Sequence, residues 1–274
     1  MTDFSSPSRL DHVLFVGGPP GVGKTTVASI LARRHGLRLY SADTRTWVHR
    51  DRAIANGVEA AVHWESLSPG QRVSAADDEL VAMSLHRERG AMVLGDLRSL
   101  PRSPLIVAEG TVIRPEDVPP GAAAVWLLSD ARDQRQRLVD RDGTAFRLYE
   151  LMLDVITVEV AEARAPVIQV GSIAHTVAAL ENSFAGQLAR GPLATTVTKC
   201  RHLVREANLD IVNQVRGYYA RPWAAGDPEA VVRAFLCECG ATNCEAFVDA
   251  TVGDASSNRV IEVGHDGRQS RIGA

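Results

Sequence analysis

Two groups of residues carry most of the chemistry that this chain offers. The first is Gly18-Pro19-Pro20-Gly21-Val22-Gly23-Lys24-Thr25, followed by Thr26. Its spacing is G-x-x-x-x-G-K-[ST], the phosphate-binding P-loop. Glycines let backbone N–H groups curl around phosphate oxygens without a Cβ in the way. A helix starting inside the motif points its positive end at the same anion. Lys24 then reaches the β- and γ-phosphates of ATP, and the Thr25 hydroxyl can hold Mg²⁺. The second group is Cys237, Cys239 and Cys244, three cysteines in eight residues with Gly240 at the bend. Three thiols cannot all pair as disulfides, but they can converge on one structural Zn²⁺, which takes four tetrahedral N or S ligands. His265 is the first candidate for the fourth ligand, with Cys200 and His202 behind it.

The loop needs a strand before it and a helix after it. Residues 12–17 read as a buried strand and residues 27–34 as a helix. Four further apolar runs, 37–40, 105–108, 122–128 and 166–170, alternate with helical stretches. That alternation predicts an α/β fold, a parallel five-stranded sheet flanked by helices. Ligands bind beyond the carboxyl ends of such strands. Asp43 lies just past the second run and Glu109 ends the third. Asp43 can take a proton from a substrate hydroxyl or help hold Mg²⁺, or it caps the next helix. Glu109 stands where an acid acts on Mg²⁺, or it caps the following turn. Four arginines crowd into residues 132–141. Their planar forks suit phosphate oxygens, with Arg135 and Arg141 preferred, although a solvated helix laced with Asp–Arg pairs has the same composition. Residues 44–70, with Trp47 and Trp64, read either as a substrate flap or as a surface helix packed over two aromatics. Pro69-Gly70 reads as a turn before a helix running from about Ser74 to Arg89, with a further helical piece over 91–99.

Residues 11–190 resemble P-loop kinases of the nucleoside monophosphate kinase type. The positions that match are Gly18 to Thr25, the strand-end acids Asp43 and Glu109, and the arginine-rich 132–141. The resemblance implies MgATP on Gly18–Thr26, Mg²⁺ held by Thr25 with Glu109 or Asp43, and an arginine lid closing over the phosphates. No Asn-Lys-x-Asp guanine-reading motif is present, which points away from GTPases. Leu67-Ser68-Pro69-Gly70-Gln71 looks like the signature of ABC transporter ATPases, but it lies too soon after Lys24 and has no Asp-Glu pair to serve it. The Cys-Glu-Cys-Gly stretch resembles zinc knuckles and the C-terminal segments of uncharacterised actinobacterial proteins. That likeness implies a metal-binding module.

The sequence thus divides into a nucleotide-binding domain at 11–190, a linker at 191–198 around Gly191-Pro192, and a cysteine-bearing module at 199–274 that opens with a helix over 199–216. Few apolar residues surround the cysteines, so this module is expected to need its metal to fold. The net charge of −3 gives no basic footprint for nucleic acid. No basic leader precedes an apolar run and no apolar stretch reaches membrane length, so a cytoplasmic protein without a membrane partner is expected. The function that follows is an ATP-dependent phosphotransferase acting on a small-molecule acceptor; a nucleoside, a sugar or an antibiotic alcohol all fit. The alternative is a nucleotide-binding switch whose zinc segment docks a protein or nucleic-acid partner.

Overall fold

Apolar runs without alternation must be covered on both faces, and two of them, residues 13–17 and 106–109, are buried throughout and build the centre of this protein. The computed structural model describes residues 10–142 and 147–265. In chain order the elements are β1 (Val13–Gly17), α1 (Lys24–His35), β2 (Arg38–Ser41), a 3₁₀ turn (Ala42–Arg45), α2 (Thr46–Ala55), α3 (Glu59–Ser66), α4 (Pro69–Ser74), α5 (Asp77–Met83), α6 (His86–Ser99), β3 (Ile106–Glu109), β4 (Ala123–Leu128), α7 (Ala131–Asp142), α8 (Arg147–Glu162), β5 (Val167–Gln169), α9 (Ile173–Ser183), α10 (Ala185–Arg190), α11 (Val197–Tyr219), β6 (Val232–Leu236), β7 (Phe247–Thr251) and α12 (Val252–Ser257). The sheet order is β2-β3-β1-β4-β5, with every pair parallel. This is the expected P-loop α/β sheet. No helix among the described residues is long and apolar enough to cross a membrane.

Strand alternation sorts the side chains. Leu14, Val16, Leu105 and Val107 pack with α1 and α9 on one face, while Val13, Phe15, Ile106 and Ala108 pack with α6 on the other. Period two then sends Glu109, two beyond Val107, to the α1 face. Ser41, two beyond Leu39, goes to the same face, and the register pairs Ser41 with Glu109.

Several helices differ from expectation. Pro69-Gly70 is not a turn but the first turn of α4. Ser68 and Gln71 form a capping box around it, and Pro69 occupies the first helical position, where a missing N–H costs nothing. The helix expected from Ser74 to Arg89 is interrupted twice, by extended backbone at Ala75 and Ala76 and by the left-handed Leu85 (φ 58°), after which α6 begins. Trp47 and Trp64 are packed together with Tyr218 and Trp223 from the C-terminal segment. Arg72 is stacked between Trp64 and Trp223, 3.6 and 4.3 Å from their ring centres.

The C-terminal segment has more core than its composition suggests. Val212 and Val215 of α11 close with Phe235, Val252, Ala255 and Val260 over the antiparallel β6–β7 pair. Val204, Ala207 and Leu236 also pack against Leu39 of β2. The joint is pinned by Asn208, fully buried on α11. Its amide donates to Leu236 O and to Glu238 Oε1, and its carbonyl accepts from Leu236 N, each at 2.9 Å. Asn208→Ala strips the Leu236 N–H and carbonyl of these bonds and leaves Glu238 Oε1 with Arg205 alone. A loss of about 3 kcal/mol in chemical denaturation is expected, and a loss below about 0.5 kcal/mol would show that the clamp is idle.

Candidate active site

The P-loop adopts its form because of residues no side chain can replace. Gly18 has φ +133°, and a Cβ there would meet Leu127 O at 2.4 Å. Gly23 has φ +92° with open space beside it, and it begins α1 without any side-chain cap. The first N–H groups of that helix therefore face an open cradle, the arrangement that anions occupy. Lys24 is buried, and its Nζ donates to Pro19 O at 2.9 Å and Thr111 Oγ1 at 3.3 Å.

Thr25, one residue on, donates its hydroxyl to Glu109 Oε1 at 3.2 Å, and Ser41 Oγ donates to the same oxygen. Glu109 is fully buried, and its second oxygen, Oε2, has no partner among the described residues. Burial, together with the Asp43 carboxylate nearby, raises Glu109 well above the usual carboxylate range, while Lys24 and the two hydroxyls work in the opposite direction. A buried acid bound by the threonine hydroxyl, with one oxygen unpaired and a second acid in electrostatic reach, fits a hard cation such as Mg²⁺. Glu109 is therefore engaged with the P-loop threonine and does not cap the following turn.

Asp43 lies in the 3₁₀ turn after β2, where Arg89 anchors the backbone. The Arg89 guanidinium is deeply buried; burial lowers its pKa, against the pull of the Asp43 carboxylate. It donates to Ala42 O and, from Nε, to His49 Nδ1 at 3.3 Å. His49 Nε2 in turn lies 3.0 Å from Asp96 Oδ2, which also accepts from Tyr40 at 3.0 Å. Because Nδ1 accepts, the His49 proton is on Nε2, facing Asp96. Burial works against the Asp96 charge, yet hydrogen bonds from His49 and Arg52 hold its carboxyl well below the usual range. Asp96, His49 and Arg89 thus brace the turn that carries Asp43.

The arginine-rich helix α7 meets the P-loop through other residues. Gln134 is fully buried and donates to Pro20 O, and Leu138 fills the space beside Gly21. Arg135 is half-exposed and pairs with Glu150 of α8 at 3.2 Å. The Arg141 side chain lies outside the described residues. Lys24, Thr25, Asp43 and Glu109 are therefore brought together, and Arg135 is not among them. Ser41, Thr111, Arg89 and Gln134 join the site unforeseen. Ser41 and Thr111 lie two residues from the strand-end acids, a spacing that marks them; nothing local marks Arg89 or Gln134.

The three cysteines meet His265. One ligand atom from each of Cys237, Cys239, Cys244 and His265 lies within 4.8 Å of all the others. His265 Nδ1 is 3.4 Å from Cys237 Sγ and 3.7 Å from Cys244 Sγ. A tetrahedral zinc with ordinary Zn–S and Zn–N bonds has edges of about 3.5–3.8 Å, so the donor set fits zinc. Cys200 instead donates to Ala194 O, and exposed His202 pairs with Glu206. Arg33 of α1 reaches into the cluster, donating to Cys244 Sγ at 3.9 Å and Ala246 O at 3.0 Å.

No protein-family model matches the chain. Over 128 residues it is 26% identical to the cytidylate kinase of Archaeoglobus fulgidus, covering 47% of this chain and 61% of that protein. The chain thus spans about three-fifths of the length of that curated relative. Among solved structures, a gluconokinase from Sinorhizobium meliloti 1021 aligns with 66% of this chain and 94% of its own, at a TM-score of 0.40 and 19% identity. A shikimate kinase from Bacteroides thetaiotaomicron aligns with 63% of this chain and 98% of its own, at a TM-score of 0.37 and 17% identity. The proteins that this chain resembles are P-loop-type kinases, and their names give three different acceptors.

Proposed function

We propose that the protein transfers the γ-phosphoryl group of ATP to a hydroxyl of a small molecule. The observation that carries this reading is Glu109, a buried carboxylate bound by the P-loop threonine and by Ser41, with one oxygen unpaired and Asp43 in electrostatic reach. The acceptor oxygen forms a bond to the γ-phosphorus while the bond to the β–γ bridging oxygen breaks. That electron pair leaves with ADP, and the acceptor proton passes to the Asp43 carboxylate. Lys24 stabilises charge on the transferred group. Thr25 with Glu109 or Asp43 would hold Mg²⁺, which when bound neutralises phosphate charge. The α7 helix, with Arg135 and Arg141, would act as a lid that excludes water. Residues 11–190 would carry this chemistry. Cys237, Cys239, Cys244 and His265 would hold a structural zinc in the 199–274 module.

The test is Mg²⁺-dependent transfer of labelled γ-phosphate from ATP into a small-molecule fraction. Label in an organic phosphate supports the reading; label found only as inorganic phosphate, or no turnover, sinks it. One observation favours a nucleotide switch instead: α1 begins in the P-loop and its Arg33 ends in the cysteine cluster. Tight ATP binding without turnover, with a macromolecule retained on a column of the protein, would move the conclusion there.

A further inference from the structure

A cleft of about 460 Å³, measured out to open solvent, lies between α1, the end of β2 and the C-terminal segment. Its polar lining comes from Thr25, Ser29, Ser41, Thr44 and Asp210. Each hydroxyl carries a single proton, and each of the four is already committed. Thr25 and Ser41 donate to Glu109, Ser29 donates to Thr26 O at 2.9 Å, and Thr44 donates to Ser41 O at 2.8 Å. What these groups present to the cleft is lone pairs. Asp210 adds a carboxylate that one nitrogen of Arg45 approaches, at 3.2 Å. The remaining lining side chains are apolar, with Ile211, Ala234 and Phe247 forming the wall on the C-terminal side. No lining side chain has a donor to spare, so a ligand must bring its own.

We propose that this cleft takes the amine-bearing part of the acceptor, so that the molecule phosphorylated is a hydroxylated amine, and that the C-terminal segment exists in part to wall this subsite. The inference rests on the phosphotransferase reading above. Thr25 and Ser41, the two hydroxyls on Glu109, line the cleft, so a molecule bound in it abuts the transfer centre. Burial raises Asp210 above the usual carboxylate range, Glu206 and Asp96 add to the rise, and Arg45 and Arg38 pull the other way without cancelling it. A further cation in the cleft restores what burial removes. Phosphate or carboxylate groups, by contrast, would meet an acceptor-only lining and be excluded.

Calorimetric titration in the presence of Mg²⁺ and a non-hydrolysable ATP analogue tests this. The amines are 2-deoxystreptamine and glucosamine; inositol, glucose and gluconate are their neutral and acidic counterparts. At least one amine is expected to bind about tenfold more tightly than its neutral counterpart, the effect of one charged hydrogen bond, with gluconate not binding. Asp210→Asn should erase that preference. Because Asp210 also holds Arg45, Ala234→Trp, at an exposed strand position on the cleft wall, provides a second variant that fills the cleft without touching the pair. It should abolish amine binding. No binding by either amine, equal binding of gluconate, or a preference that survives both substitutions overturns the proposal. Binding of the ATP analogue reads the P-loop separately. If the analogue does not bind, the phosphotransferase reading fails; if it binds and the amines do not, the acceptor class alone falls.

Discussion

Lys24→Met is expected to lower the rate of phosphoryl transfer about 10²–10³-fold, the usual cost of losing one preorganised electrostatic donor at a developing charge. Methionine keeps most of the aliphatic stem, so packing beneath the loop is retained. The Lys24 hydrogen bonds to Pro19 O and Thr111 are lost, each with a net value of about 1 kcal/mol. Removing a buried ammonium recovers part of that, so the thermal midpoint should move by only a few degrees. Initial rates and a melting curve on the same preparation separate the two effects. Transfer at the unsubstituted rate would remove Lys24 from the chemistry, and with it the role given to the P-loop.

Metal removal is expected to have the second large effect, and a local one. Purified protein should contain about one zinc per chain, since four convergent N and S donors make a closed structural site. Chelation, or Cys239→Ser, should unravel residues 237–245 and 258–265. In hydrogen exchange those amides should lose protection, while β1 to β5 keep theirs. The reason lies in the two cores. The apolar side chains packed against the cysteines are the partly buried Ala246, Val248 and Ile261, and a two-stranded hairpin is marginal by itself. Binding energies of structural zinc sites, about 10–16 kcal/mol in small peptides, are large against that. The core of Phe235, Val212 and Val252 and the two Asn208 bonds to Leu236 stand apart from the metal, so α11 should stay docked on β2 while the Asn208 bond to Glu238 is lost. Metal-free protein with full protection over 237–245 would show that the thiols are ordinary buried side chains.

Some of this was legible one segment at a time. The P-loop needs positive φ at Gly18 and Gly23, which is a property of those residues and their immediate neighbours. The apolar runs of β1 and β3 needed cover on both faces whatever covered them, and the strand-end positions of Asp43 and Glu109 followed from where the runs stop. The capping box at Ser68–Gln71 was equally local, though there Pro-Gly hid a helix start behind a turn signal. The core of the C-terminal segment is hidden in the sequence because β6, α12 and Val260 each contribute one or two apolar residues, and α11 gathers them.

The partners inside the site were of another kind. Ser41 meets Glu109 because β2 lies beside β3, a pairing of segments 68 residues apart. Arg89 reaches Ala42 O across 47 residues, and Gln134 reaches Pro20 O across 114. His265, not Cys200 or His202, joins the cysteines because α11 turns Cys200 towards Ala194 and leaves His202 in solvent with Glu206. Asp210 faces the cleft beside Thr25 because the same helix is packed on β2. Residue types and short spacings set backbone conformation and which face of an element is apolar, since those depend on atoms a few bonds away. Which elements then lie side by side depends on burying all the apolar faces at once, and from that packing the loop at Gly18 acquires its acid, its brace and its pocket.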